Sequence, residues 1–438
     1  MNNYHIVSRS RSFFESGQTR CLCFRLNSLQ KLKSALTENK QLLLAALHAD
    51  LNKSKHETWE SEIEICLKEI DFHCNYLTCW AAEKRVKTPV VFFPTASMII
   101  AEPKGVVLIM SPWNFPIALT IMPLVGAISA GNCAILKPSE FSPATSEALA
   151  KLISSTFDPG YISVVQADAS RAQDLVTLPF DHIFFTGSTR VGKLVMSAAA
   201  QNLTPLTLEL GGCNPCIVDK EIDIEIAARR IVWAKFYNAG QSCLAPNYLL
   251  VDQQIEEPFI HEMKAIMKEW YQDAKYPFAR IVNQFHFERL DKLLETQTIV
   301  AGGDAQKISL LIEPTLTKTT FVDPIVHEEI FGPVLPIISY NKIDMILEKL
   351  KTMPKPLACY FFSKSKRLQN HIINNVCAGS ICINDAIVQY ANLHLPFGGV
   401  GASGFGSYHG KKSFESFTHY KSVMRRSFWF DWQWRYQQ

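Results

Sequence analysis

The stretch from Gly105 to Leu136 reads GVVLIMSPWNFPIALTIMPLVGAISAGNCAIL. It contains no Asp, Glu, Lys or Arg and is long enough to span a bilayer. Pro112, Asn114, Pro116, Pro123, Gly126, Gly131 and Asn132 interrupt it, however. The better division is a strand (GVVLIMS), a loop (PWNFP), a buried helix (IALTIMPLVGAISAG) and a second strand (CAILKP). Continuous apolar strands are what a parallel sheet covered on both faces requires.

The same rhythm runs outward from this stretch. SEFSPATSEALAKLISSTF predicts a helix with Ser142 as N-cap and Pro143 at its first position. Strand YISVVQ, a helix, strand DHIFFTG, helix TRVGKLVMSAAAQN and strand PLTLEL follow. After Gly212 a second series begins with PCIVD, DIEIAARRIVWAKFYN, NYLLVD and EEPFIHEMKAIMKEWY. It resumes with VLPIISY, IDMILEKLKTM, LACYFFS, a helix through Asn374 and SICIND. Alternation of this kind predicts an α/β fold with two tandem open α/β domains. Upstream, Leu29, Leu32 and Leu36, then Leu43, Leu44, Leu47 and Leu51, mark helical stripes within residues 27–80. Residues 88–103, TPVVFFPTASMIIAEP, predict two short strands around a PTAS turn. The tail from Leu395 is glycine-rich, and its SFWFDWQWRY run alternates enough to suggest a strand or docking arm. The expected units are 1–80 with 105–210, then 211–390, with 81–104 and 391–438 forming a bridging hairpin and a C-terminal arm.

The chain has 438 residues, 47% hydrophobic and 19% charged, which suits two or three globular domains. A net charge of +3 gives no reason to expect a nucleic-acid or membrane partner. The 12 cysteines show no disulfide spacing, and the N-terminus lacks the apolar region of a secretory signal. A cytoplasmic location is expected. The early serines and arginines hint faintly at a transit peptide, but Glu15 and the run into FRLNSLQKLKSALTENK read better as helices.

FFTGSTRVGK places Gly187, Ser188, Thr189 and Gly192 between a strand and a helix, where free N–H groups could meet a pyrophosphate. The spacing is G-x-T-x-x-G, and a purely structural turn and cap would look the same. KPSE puts Lys137 and Glu140 at a strand's carboxyl end, where open sheets bind ligands. A solvated loop is the alternative. LELGG buries Glu209 in an apolar strand, either as a general base or as half of a structural ion pair. NAGQSCLAP sets Cys243 just past Gly240, as a candidate nucleophile. Asn114, held between prolines, is a candidate oxyanion donor.

Taken together, PWNFP, KPSE, FTGSTRVGK, LELGG, FYNAGQSCLAP, EEIFGPV and LPFGGVGASGFG, in this order, resemble the aldehyde dehydrogenase superfamily. The ending YHGKKSFESFTH is most similar to the class 3 branch, which takes medium-chain, aromatic and fatty aldehydes. The resemblance implies a Rossmann-like NAD-binding domain, a catalytic thiol domain and a small β element for oligomerisation. It makes Cys243 the nucleophile, Glu209 the base for water, and Asn114 with the Cys243 amide the oxyanion hole. Lys137 and Glu140 would meet the adenosine ribose, and Gly187, Ser188, Thr189 and Gly192 the pyrophosphate, with Leu210 among the cofactor contacts. Glu329 would hold the nicotinamide ribose with Phe331 beside the ring. The cofactor implied is NAD, with NADP possible, because Glu140 would repel a 2′-phosphate. A small aldehyde would become a carboxylic acid through a thiohemiacetal and a thioester on Cys243, in a homodimer.

Three positions depart from the pattern. Cys213 follows ELGG and makes a C-x-x-C with Cys216, read as structural because no second pair lies at zinc spacing. Asn247 stands where Asp is frequent and Ala402 where Asn is, and neither is expected to touch the chemistry directly. A nicotinamide-independent thiol esterase or acyltransferase, and a catalytically silent paralogue, are the alternative functions. The aromatic tail suits a membrane interface or a dimer, and the dimer is the reading adopted.

Overall fold

The computed structural model describes residues 3–273 and 278–436. Its first strands are β1 (Lys84–Val86), β2 (Thr95–Pro103), β3 (Val106–Met110), β4 (Cys133–Lys137), β5 (Ile162–Val164), β6 (His182–Gly187) and β7 (Leu206–Leu210). Then come β8 (Pro215–Val218), β9 (Tyr248–Asp252), β10 (Thr298–Ala301), β11 (Ala305–Gln306), β12 (Leu311–Ile312) and β13 (Thr315–Lys318). The last are β14 (Val334–Tyr340), β15 (Ala358–Phe362), β16 (Ser380–Ile383), β17 (Gly404–Phe405) and β18 (Thr418–Arg426).

One sheet has the order β17-β7-β6-β3-β4-β5, parallel throughout except for β17. A second has the order β10-β13-β14-β9-β8-β15-β16, parallel except for β10. β1, β2 and β18 form a small antiparallel sheet, and β11 and β12 a two-stranded ribbon.

The stretch from Gly105 divides as its sequence predicts. Every residue of β3, of β4 and of the helix Ala118–Ala130 between them is buried. Its polar breaks are all satisfied. Gly131 ends the helix at φ 89°, the left-handed conformation that glycine adopts without strain. Asn132 accepts from the Gly105 amide at 2.8 Å and donates to the Phe417 carbonyl at 2.9 Å, tying the strand pair to the tail. Among the described residues no helix is long and apolar enough to cross a membrane.

Some expectations need correction. Val90–Phe92 is a short 3₁₀ helix, not a strand, and β2 pairs instead with β1, Lys84 facing Ile99. Pro89 and Pro94 bracket that segment and lack the N–H a ladder needs. The tail's strand is β18, which precedes the aromatic run and pairs with β2 from Thr418↔Pro103 to Arg426↔Thr95. β2 begins at Thr95, so residues 427–432 have no ladder to join. Ser142 occupies the N-cap of the helix Pro143–Thr156, but its side chain makes no capping bond. The Asp50 carboxylate, from the helix Lys40–Leu51, accepts instead from the amides of Ala144 (3.1 Å) and Thr145 (2.8 Å). The helix Gln284–Leu294 and strands β10 to β13 carry no sequence expectation at all.

Candidate functional site

In the first sheet the chain leaves β3 toward β4 and leaves β6 toward β7, on opposite sides. That split opens a crevice beyond the carboxyl ends of β3 and β6. Asn114 follows β3, Ser188 follows β6, and Lys137 ends β4. The second sheet contributes its opposite end. Asn214 precedes β8, Cys243 precedes β9, Glu329 precedes β14 and Leu357 precedes β15. Lys137 thus ends β4 at its carboxyl end, with Glu140 just beyond, whereas the thiol lies before the amino end of β9.

The Cys243 loop is held from several sides. After the helix Ile224–Phe236 the backbone turns through Asn238 (φ 52°), Ala239 (φ 53°) and Gly240 (φ 70°). Two non-glycine residues in the left-handed region make a strained turn, of the kind found at functional sites. A Cβ at position 240 would stand 2.3 Å from the Gly332 carbonyl oxygen, so only glycine fits. Gln241 is fully buried and donates to the carbonyls of Asn238 and Arg280, while its Oε1 accepts from Val282. Asn214 Nδ2 donates to the Cys243 carbonyl (2.7 Å) and the Ala245 carbonyl (3.1 Å). Tyr360 donates to the Leu244 carbonyl at 2.6 Å. The thiol itself is half-buried. Burial first, then the charges of Glu329 and Glu209, push it up to about 12, so at rest the sulfur keeps its proton.

Asn114 is 2% exposed, and its Nδ2 donates to the Gln241 carbonyl at 3.1 Å. That bond joins the loop after β3 to the thiol loop, and the amide's second hydrogen stays available. The Asn114 carbonyl accepts from Lys53 Nζ (3.0 Å) and Asn238 Nδ2 (2.9 Å). Lys53 also pairs with Glu62 at 2.7 Å and lies over the Phe115 ring, 4.0 Å from its centroid. The other Glu62 oxygen takes the amides of Ile117 and Ala118 at the start of the helix Ala118–Ala130. Glu57 Oε1 accepts from the Asn238 amide at 2.9 Å.

Glu209 lies on β7, 3% exposed, and neither of its oxygens has a hydrogen-bond partner among the described residues. Such a group costs about 1–3 kcal/mol or more in stability. It is therefore not half of a structural ion pair. Burial raises it well above the usual carboxylate range.

On the cofactor side, Ser188 caps the helix Thr189–Ala200, its hydroxyl accepting from the Val191 amide. Thr189 donates to the Ala402 carbonyl at 3.3 Å. A Cβ on Gly192 would stand 2.7 Å from Leu210, so these two residues pack the helix onto β7. A Cβ on Gly187 would meet the Phe185 ring. Lys137 and Glu140 form an ion pair with each other. Glu329 accepts from the Gly212 amide at 3.3 Å, and burial pushes it up to about 7 against the pull of that amide, Arg289 and Lys235. Phe331 (φ 49°) meets Trp113 edge-on at 5.3 Å.

Sequence reasoning passed over several neighbours of this site. Asn247 brackets the Glu329 peptide, bonding its backbone neighbours on both sides. His286 lies 5.4 Å from Trp113 with a buried, unpartnered Nδ1, and Arg289 donates to the Ile330 carbonyl. Lys235 is 1% exposed, and burial pushes it down to about 7. The only sequence signal for Lys235 is a lysine at a helical apolar position, which reads equally well as a surface residue, and Lys53, in the loop after the helix Lys40–Leu51, carries none.

Residues 5–423 match the description "Aldehyde dehydrogenase family". A Staphylococcus aureus 4,4'-diaponeurosporen-aldehyde dehydrogenase is 44% identical, over 95% of this chain and 92% of its own. A mouse "aldehyde dehydrogenase, dimeric NADP-preferring" is 42% identical, over 96% and 94%. The substrate-bound state of Staphylococcus aureus AldH superposes with a TM-score of 0.96 at 43% identity, over 98% of this chain and 96% of that one. The chain thus belongs to the aldehyde dehydrogenase family and is an oxidoreductase acting on the aldehyde group.

Proposed function

We propose that this chain oxidises an aldehyde to a carboxylic acid on Cys243, with Asn114 and Glu209 as its partners. The bond from Asn114 Nδ2 to the Gln241 carbonyl carries this reading, because it brings a fixed amide donor to the thiol loop. Residues 1–80 with 105–210 act as the dinucleotide-binding unit, residues 211–390 as the thiol unit, and 81–104 with 391–438 as the bridging arm.

The residues present fit a nicotinamide dinucleotide. The helix N-terminus at Ser188 suits its phosphates, the Lys137–Glu140 pair and Glu329 suit its riboses, and the orphaned His286 Nδ1 gives a further polar contact. When bound, the nicotinamide accepts a hydride. Lys137 can offset a 2′-phosphate that Glu140 would repel, so NAD is favoured and NADP accepted.

Cys243 gives its proton to solvent water as its sulfur bonds to the aldehyde carbon and the carbonyl electron pair moves onto oxygen. The free N–H of Asn114 and the Cys243 amide hold the oxyanion, each such donor lowering the barrier by about 3–4 kcal/mol. Hydride departure leaves a thioester on Cys243. Glu209 deprotonates water, which attacks the thioester carbon, the C–S bond breaks and the acid leaves. Phe115 stacks on Tyr237, which meets Trp233 at a tilt, and this aromatic run next to Asn114 and Asn238 in the chain suits an apolar aldehyde. The exposed Val90, Phe93, Phe428 and Trp429 beside the small sheet suit a homodimer contact.

The test is Cys243→Ala, assayed with aliphatic and aromatic aldehydes and each cofactor. Reduced cofactor should not form, while cofactor binding by fluorescence titration persists. Undiminished turnover would overturn the assignment.

A further inference from the structure

Polar atoms without well-formed hydrogen bonds gather beside Glu209. β6 and β7 set Thr186 opposite Glu209 and Phe184 opposite Thr207, so these four side chains share one face of the sheet. The Thr186 hydroxyl is buried on that face without a partner. Tyr408 lies there too, its ring 5.1 Å from Phe184. Its own backbone exchanges both hydrogen bonds with Phe397, and β17 just upstream pairs Gly404 with Glu209. Tyr408 is 0% exposed, its hydroxyl makes only a poorly formed contact with that of Tyr390, and Glu209 and Cys243 lie within electrostatic reach of it. The His409 ring packs 4.3 Å from that of Tyr408, and its nitrogens make no well-formed hydrogen bond, the Tyr390 backbone being the polar group that faces them.

Buried polar groups in folded proteins find partners, and where the protein supplies none, ordered water does. A threonine hydroxyl and a carboxylate left open, with a poorly satisfied phenol on the same face of the sheet, suit a water. A purely structural core would have Phe and Val here, at no cost.

We propose that Tyr408 is a further catalytic residue of the hydrolytic step, its hydroxyl and that of Thr186 holding the water that Glu209 deprotonates. The inference rests on the reading of Cys243 and Glu209 given above. One water hydrogen points to Glu209 and the other to the Tyr408 or Thr186 oxygen, leaving the oxygen lone pair for the thioester carbon. On attack the C–O bond forms, the first hydrogen passes to Glu209 and the C–S bond breaks. Tyr408 keeps its own proton throughout.

The experiment follows reduced nicotinamide by stopped flow in Tyr408→Phe and Thr186→Val, with benzaldehyde and NAD. Tyr408→Phe should keep a burst of about one equivalent per site at near-parental rate, then turn over at least about tenfold more slowly. Thr186→Val should slow the same phase to a smaller degree. Both variants should melt at or above the parent's temperature, since each removes a buried hydroxyl that lacks a well-formed hydrogen bond. A steady rate within about twofold of the parent, or a lost burst in a folded Tyr408→Phe protein, overturns the inference. If Tyr408→Phe does not fold, Thr186→Val decides by the same criterion. Cys243→Ala run alongside separates the two ideas. Activity there defeats the underlying reading, whereas an inactive Cys243→Ala with a parent-like Tyr408→Phe defeats only this one.

Discussion

Asn247 clamps the peptide that carries Glu329. Its Nδ2 donates to the Glu328 carbonyl and its Oδ1 accepts from the Ile330 amide, each at 2.9 Å. Only a carboxamide does both, since an ionised aspartate has no donor for the carbonyl. Asn247→Ala removes two buried hydrogen bonds worth roughly 1 kcal/mol each. Glu329 then loses its fixed position over Gly212. Steady-state kinetics should show the cofactor KM rising about tenfold, with kcat at saturating cofactor changed by less than about threefold. An unchanged KM would remove Asn247 from the cofactor site.

The ionisation of Glu329 gives that same site a pH dependence. Burial pushes its carboxyl up to about 7. The ionised form accepts hydrogen bonds from ribose hydroxyls, and the protonated form does so poorly. Cofactor KM should therefore stay flat above that pH and climb as pH falls through it. Glu329→Gln cannot titrate, so its KM should be high and level from pH 6 to pH 8. A variant that keeps the parental pH curve shows that another group is titrating.

How much of this was legible in the sequence depends on the length scale of each signal. β3, β4 and the helix between them were readable because both faces are covered and the strands are apolar end to end. The thiol loop was readable because Gly240 marks a backbone turn that no other residue tolerates there. The strand at 90–92 was misread because exposed Val and Phe mimic a ladder that the flanking prolines deny. Asn247, Lys53 and His286 were passed over for a different reason. Their partners lie at separations such as Lys53 to Asn114 and Asn247 to Ile330, which no local pattern encodes.

Glu209 must shed its proton to act as a base, yet burial holds its pKa well above the usual carboxylate range. The steady-state rate should therefore rise with pH as that carboxyl ionises, at a pH above the usual carboxylate range. Glu209→Gln should keep the first equivalent of reduced cofactor but lose about 10²–10⁴-fold in the following turnover, the range typical of a general base. Its remaining rate should be insensitive to pH. Stopped-flow traces over a pH series measure both properties, and parental turnover in this variant would assign the base elsewhere.

Lys53 links stability to the oxyanion donor. Its ammonium is wholly buried between Glu62 Oε1 and the Asn114 carbonyl, and Glu62 in turn holds the amides that open the helix Ala118–Ala130. Lys53→Met leaves the Glu62 carboxylate uncompensated, a loss of about 3–5 kcal/mol for a broken buried pair. It also removes one of the two donors to the Asn114 backbone carbonyl, leaving Asn238 alone there, so the loop loosens and the Asn114 Nδ2 drifts from the position that faces the thiol loop. The variant should melt well below the parent, and its burst phase should slow more than its cofactor KM changes. Adding Glu62→Gln removes the stranded charge while keeping an acceptor for Ile117 and Ala118. The double variant should recover much of the melting temperature without recovering the burst rate. If both recover together, Lys53 supports the fold alone and Asn114 is positioned by Asn238 and Gln241.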